Sequence, residues 1–130
     1  TVAIAGTLLN IKPLLRADES TNAKIVACGK ARGRKKALEE IADIFFKRAV
    51  RPDSNTVAIT HGDCPEDAEF LANLLRAKGV SDIIVEIHDI CTGAHVGPGR
   101  VGLFFWGKDR RIAFPIGDSQ PAASPVAHKV

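Results

Sequence analysis

Thr56-Val57-Ala58-Ile59-Thr60-His61-Gly62-Asp63-Cys64-Pro65-Glu66-Asp67-Ala68 changes its period halfway along. Up to Thr60 the residues are small or β-branched, as in a short buried strand. His61-Gly62-Asp63 then reads as a polar turn, and Pro65 falls in the first turn of a helix, where no amide donor is needed. Leu71, Leu74 and Leu75 recur at helical spacing before Lys78 returns to solvent and Gly79 supplies a stop. The stretch therefore predicts strand, loop and helix, with Asp63 as the helix cap and Glu66 completing a capping box.

Downstream, Asp82 to His88 reads as another strand, with Ile83, Val85 and Ile87 on one face and Ile84, Glu86 and His88 on the other. Val101 to Trp106 reads as a final core strand. The spacing of the three strands allows a parallel crossover and then a return across the sheet, so the fold class is α/β, a mixed β-sheet covered by helices. Upstream, Val2 to Ile11 is an apolar opening stretch, and Ile11 to Leu15 suits an edge strand because Pro13 donates no ladder hydrogen bond. Asp18 to Asn22 reads as a turn, Ala23 to Cys28 as a returning strand, and Gly29 and Gly33 as breakers. From about Lys35, Leu38, Ile41, Ala42, Phe45 and Ala49 trace the buried stripe of an amphipathic helix, which ends in the polar connector Pro52 to Asn55.

The 130 residues suit one domain with its own core, and no apolar run is long enough for a transmembrane helix. Cys28, Cys64 and Cys91 are odd in number and far apart, which suggests neither a disulfide framework nor a close-spaced zinc motif. A reducing, cytoplasmic setting is the expectation. The net charge of +3 matters less than its distribution, because Lys30, Arg32, Arg34, Lys35 and Lys36 crowd five cations into seven positions at the start of the first helix. Without interleaved aromatics the cluster does not indicate nucleic acid; a solvated helix face is the simplest reading, with an acidic protein face or a phosphate-bearing ligand as the binding alternatives.

The chemically suggestive segment is Gly93-Ala94-His95-Val96-Gly97-Pro98-Gly99, where one imidazole sits in a turn whose glycines permit close backbone approach to an anion. Other readings are weaker. His61, Asp63 and Cys64 form an incomplete metal set, so no metal is expected. Gly97-Pro98-Gly99 matches neither a Walker loop nor a dinucleotide fingerprint, and no cofactor is expected. Cys91 and His95 share a loop region but lack an orienting third residue, so a Cys-dependent hydrolase ranks below a binding role, and no catalytic residue is assigned.

Four segments in order carry a resemblance to the C-terminal domain of the DegV family, bacterial fatty-acid-binding proteins. They are Leu9-Asn10-Ile11-Lys12-Pro13-Leu14-Leu15, Lys30-Ala31-Arg32-Gly33-Arg34-Lys35-Lys36-Ala37-Leu38, Thr60 to Ala68, and Gly93 to Gly99 ahead of Leu103-Phe104-Phe105. The resemblance implies a two-domain α/β carrier enclosing a long-chain fatty acid between its domains, of which this chain supplies the second. It implies that His95, with Gly97 and Gly99, holds the ligand carboxylate beside hydroxyl groups of the missing N-terminal domain. It also implies that a separate fatty acid kinase receives the presented acid, the carrier itself performing no catalysis. Leu14, Leu103 and Phe105 are the candidates for the acyl-chain cavity. Arg32 and Arg34 are the candidates for contact with partner or phosphate. Val96 and Arg100 depart from the family, which more often has Thr and a small residue there. The competing reading is a basic protein-interaction module that binds no lipid.

On this reading residues 1–116 form the lipid-binding domain. Residues 117–130, rich in Pro, Ala and Ser, are expected to be a flexible tail.

Overall fold

Val57 and Ile59 are fully buried, and the strand that carries them is the middle one of a three-stranded sheet. The computed structural model describes residues 10–18, 22 and 24–108. The elements run β1 (Ile11–Asp18), β2 (Lys24–Arg32), α1 (Arg34–Arg48), a 3-10 turn (Pro52–Ser54), β3 (Val57–His61), α2 (Pro65–Arg76), β4 (Ile83–Ile87), α3 (Ile90–Val96) and β5 (Val101–Phe104). The opening stretch before Asn10 and the expected boundary at residues 116 and 117 lie outside the described residues.

The sheet has the order β4-β3-β5. β3 and β4 are parallel, joined through α2, with Val57 opposite Ile83, Ile59 opposite Val85 and His61 opposite Ile87. β5 returns antiparallel on the other side, with Ala58 opposite Phe104 and Thr60 opposite Gly102. The mixed sheet is therefore as the sequence predicts. Val57 and Ile59 pack against α1 and α2 around Leu38, Phe45, Leu71, Leu75 and Val80, with Ile83, Val85, Leu103 and Phe105 at the margin, whereas Ile87 at the end of β4 is exposed. The Phe45 ring meets Phe46 and Phe105 edge-on at 4.9 and 5.1 Å.

The end of α2 is set by local chemistry. Gly79 has φ +95°, its N–H donates to Arg76 at 3.0 Å, and the N–H of buried Val80 donates to Leu75 at 3.2 Å. This pair of bonds is a Schellman stop, which favours glycine. The start differs from expectation. Asp63 takes φ +51° and lies outside the helix, so Cys64 is the residue before the first turn and no side chain caps it. Glu66 and Asp67 still favour the positive helix end, and Pro65 stands at the first helical position.

β1 and β2 form a separate antiparallel hairpin. Leu14 pairs with Gly29 but Leu15 with Ala27, so Cys28 is the extra residue of a β-bulge. Gly29 is therefore accommodated inside the strand rather than breaking it, and β2 continues to Arg32. The basic cluster is consequently divided: Lys30 and Arg32 belong to the strand, whereas Arg34, Lys35 and Lys36 begin α1. Leu14, Ala31 and Ala37 bury a second small core between hairpin and α1.

Two further expectations are corrected. Ile90–Val96 is helical, so Gly93 and His95 lie on α3 and only Gly97-Pro98-Gly99 forms the turn. Asp89 caps α3 by accepting from the Thr92 N–H at 2.9 Å, a strong local signal that outweighs the glycine. The strand near the C-terminal end stops at Phe104 and lies at the sheet edge, with Phe104 60 % and Trp106 77 % exposed, so only alternate residues of that run reach the core.

Candidate functional site

The carboxyl ends of parallel β3 and β4 meet the turn that leads into β5, and this corner gathers His61, Gly62, His88 and Gly97-Pro98-Gly99. Backbone bonds fix it: His88 N–H donates to His61 at 2.8 Å, Gly62 N–H to Arg100 at 2.9 Å, and Gly99 N–H to Gly62 at 2.6 Å. Gly62 is buried beneath the turn, and a Cβ built there would stand 2.8 Å from the Gly97 carbonyl oxygen and 3.3 Å from the His88 ring. Only glycine allows that approach. Gly97 and Gly99, at φ +73° and +75°, turn the chain back over the sheet end.

A polar brace runs behind the corner. The Cys64 N–H donates to His61 Nδ1 at 3.3 Å. Cys64 Sγ donates to the Arg100 carbonyl at 3.4 Å and accepts from Arg34 at 3.4 Å, while Arg34 Nε donates to Asp67 Oδ2 at 2.8 Å. Burial pushes the Cys64 thiol up from its ordinary range, against the pull of Arg34, so the thiol is held protonated. Arg34 therefore ties the start of α1 to the first turn of α2 and, through sulfur, to the turn before β5.

His95 stands exposed in the last turn of α3, one residue from the Gly97–Gly99 turn, so the three head-group candidates share one corner. The acyl-chain candidates are not brought together. Leu14 belongs to the hairpin core, whereas Leu103 and Phe105 turn toward α1 and α2. Arg32 and Arg34 also separate: Arg32 is exposed on β2, and Arg34 is half-buried in its pair with Asp67. Cys91 and His95 are both exposed, and among the described residues no hydrogen bond joins them. Asp89, beside them, has its carboxyl held below the usual range by the Thr92 hydroxyl and backbone bonds.

Thr60, Gly62, His88 and Gly102 also meet at this corner, although no local motif marks them as site residues. Thr60 Oγ1 and His88 Nε2 are buried and make no hydrogen bond among the described residues. Strand parity was the available signal, since it places Thr60, Gly62 and His88 on the side away from the helix-packed residues. Elsewhere, a shallow groove between α1 and α2 is lined by Lys36, Glu39, Asp43 and Lys78. Its charges face one another, Lys36 with Glu39 at 3.8 Å and Lys78 with Asp43 at 3.8 Å, so it presents no net field to a ligand. No group of three or more potential metal-ligating side chains is assembled among the described residues.

A family model described as "Uncharacterised protein, DegV family" matches residues 1–108. A DegV domain-containing protein of Clostridium perfringens is 42 % identical over 111 residues, 85 % of this chain and 38 % of the relative. Among solved structures, a fatty acid binding DegV family protein of Streptococcus agalactiae aligns with a TM-score of 0.66 at 33 % identity, covering 83 % of this chain and 38 % of that one. A DegV family protein of Ruminococcus gnavus, described with vaccenic acid, aligns with a TM-score of 0.65 at 28 % identity, covering 73 % and 34 %. The chain thus spans little more than a third of the length of these relatives. With a family match across more than four-fifths of its residues, and with that fold, this chain belongs to the DegV family.

Proposed function

We propose that this chain is the C-terminal part of a fatty-acid carrier. The observation that carries the reading is that solved relatives aligned over most of the chain are described as fatty acid binding or with a fatty acid bound. The corner at the ends of β3 and β4 suits a carboxylate, because an exposed imidazole at His95 stands beside the positive-φ turn of Gly97 and Gly99. An N-terminal domain, contributed by the part of the architecture that this chain does not span, supplies the remaining head-group donors and closes the site over the acyl chain. Of the acyl-chain candidates, Leu103 and Phe105 back the sheet from its helix-packed side, and Leu14 stands apart in the hairpin core.

In this reading the carrier presents its acid to a fatty acid kinase, which performs the phosphoryl transfer. Arg32, exposed on β2, is the contact for kinase or phosphate, and Arg34 supports it by fixing the strand-to-helix junction. Residues 1–116 act as one lipid-binding unit and 117–130 as its tail. The test is equilibrium binding of oleate to this chain joined to the N-terminal portion of the Streptococcus agalactiae relative. Loss of a charge-assisted hydrogen bond is expected to make His95→Ala bind about tenfold more weakly. Oleate binding unchanged by that substitution would remove His95 from the site, and absence of binding in the folded parent would overturn the carrier reading.

A further inference from the structure

At the amino end of β3, away from the head-group corner, the residues that follow α1 and those that follow β5 run antiparallel. Ala49 faces Gly107 in a single bridge, the Val50 N–H donates to the Trp106 carbonyl at 2.9 Å, and the Lys108 N–H donates to the Arg48 carbonyl at 2.8 Å. Side chains alternate across such a pair, so buried Ala49 turns to the core while Arg48, Val50, Trp106 and Lys108 share the outer side. Trp106 is 77 % exposed there and Val50 46 %. Buried Asn55 holds the two strands of backbone together. Its Nδ2 donates to the Val50 and Trp106 carbonyls at 2.9 and 2.8 Å, and its Oδ1 accepts from the Trp106 N–H at 3.1 Å. A satisfied buried amide thus fixes the backbone on both sides of an indole that stands in solvent.

The surroundings are basic. Lys47 and Arg48 close α1, exposed Arg51 follows Val50 with φ +47°, and exposed Lys108 ends the paired segment. Asp53 is the one carboxylate in residues 47–55 and 104–108, and the sequence continues as Asp109-Arg110-Arg111. The patch is therefore an aromatic ring and an aliphatic side chain among cations, which complements an anionic surface. Size decides between two kinds of anionic partner. An aromatic side chain offers about 150–250 Å² and a valine less, whereas a stable protein interface takes about 800 Å² of matching shape from each partner. A bilayer requires no matching shape. Indole rings settle at its headgroup level, and each nearby Lys or Arg strengthens attraction to anionic lipid about fivefold.

We infer that Trp106 and Val50 form a peripheral anchor for the surface of an anionic bilayer, with the indole at the headgroup level and Arg51 and Lys108 against lipid phosphates. Such an anchor is weak and reversible, because one ring and a few cations amount to a single membrane signal. It is independent of the fatty-acid reading: it uses no residue of the head-group corner, and Asn55 to His61 spans about 20 Å at the usual strand rise. The competing occupants are an acidic polypeptide and residues 109–130 of this chain, which continue from Lys108.

Trp106 is the single tryptophan of the chain, so its emission reports on this patch alone. The chain is titrated with vesicles of phosphatidylglycerol and phosphatidylcholine, and separately with phosphatidylcholine vesicles. With the anionic vesicles the emission is expected to shift to the blue and to be quenched by lipid brominated on its upper acyl carbons, and binding is expected to weaken as salt rises. In cosedimentation, Trp106→Ala is expected to bind about tenfold more weakly and Lys108→Gln about fivefold. Unfolding transitions verify the fold of both variants, and the quenching needs no variant. Emission unchanged by anionic vesicles, or equal sedimentation of Trp106→Ala, would overturn the inference. A response to polyglutamate but not to vesicles would assign the patch to an acidic protein. Emission already blue-shifted in buffer, and moved to the red in a chain ending at Lys108, would assign it to residues 109–130; either result also overturns the anchor.

Discussion

Gly62 is the residue on which the corner depends most. Replacing it with Ala places a methyl 2.8 Å from the Gly97 carbonyl, and both partners are backbone, so the turn must move. Gly62→Ala is expected to destabilise the domain by about 1–3 kcal/mol in denaturant unfolding and to weaken fatty-acid binding. A stable variant with unchanged affinity would show that the turn tolerates displacement.

Cys64 and Cys28 carry the clearest titration. Burial raises both thiols, Cys64 despite Arg34 and Cys28 despite Arg16. A raised folded-state pKa means that the folded protein holds these protons more tightly than the unfolded chain. Their contribution to stability is therefore complete below the ordinary thiol value of 9.0 and is lost as pH climbs through the raised values. Unfolding measured from neutral to strongly alkaline pH should show this decline, and Cys28→Ala with Cys64→Ala should flatten it. A decline of equal size in the double variant would assign it to other groups. Exposed Cys91 should react with a thiol reagent before either of the others.

At the scale of elements, the sequence is legible where pattern and punctuation agree. β3, α2 and the Gly79 stop follow from a buried strand, a leucine stripe and a terminal glycine, and all are present. Gly79→Ala is expected to cost about 1–2 kcal/mol, since no atom lies within 4 Å and only the positive φ opposes a side chain. A smaller change in the unfolding midpoint would mean that the helix end relaxes into another stop.

Legibility fails where one local signal hides another. Gly29 reads as a breaker, but a bulge at Cys28 absorbs it and carries the basic residues into β2. Gly93 reads as part of a turn, yet the Asp89 cap makes the segment helical. Asp63 has the chemistry of a cap, but its left-handed backbone puts it outside α2, and the N–H of Cys64 finds the His61 ring instead. The candidate site divides in the same way. His95, Gly97 and Gly99 are legible as a local motif, whereas Thr60, His88 and Gly102 become neighbours only through strand register, which a linear sequence does not display.

For the whole molecule, the asymmetry of the sheet is the main consequence of the fold. One side is buried under α1 and α2 around Phe45, Leu71 and Leu75, and the other presents Ile84 and Phe104. The relatives are more than twice as long as the part this chain matches. Among the described residues no helix is long and apolar enough to cross a membrane. The proposed function requires a fatty acid in the joined protein. Its most direct test is native mass spectrometry of the joined protein after purification from a lipid-containing bacterial extract. The account predicts a retained fatty-acid mass that diminishes in His95→Ala; a folded protein carrying no acyl species would contradict it.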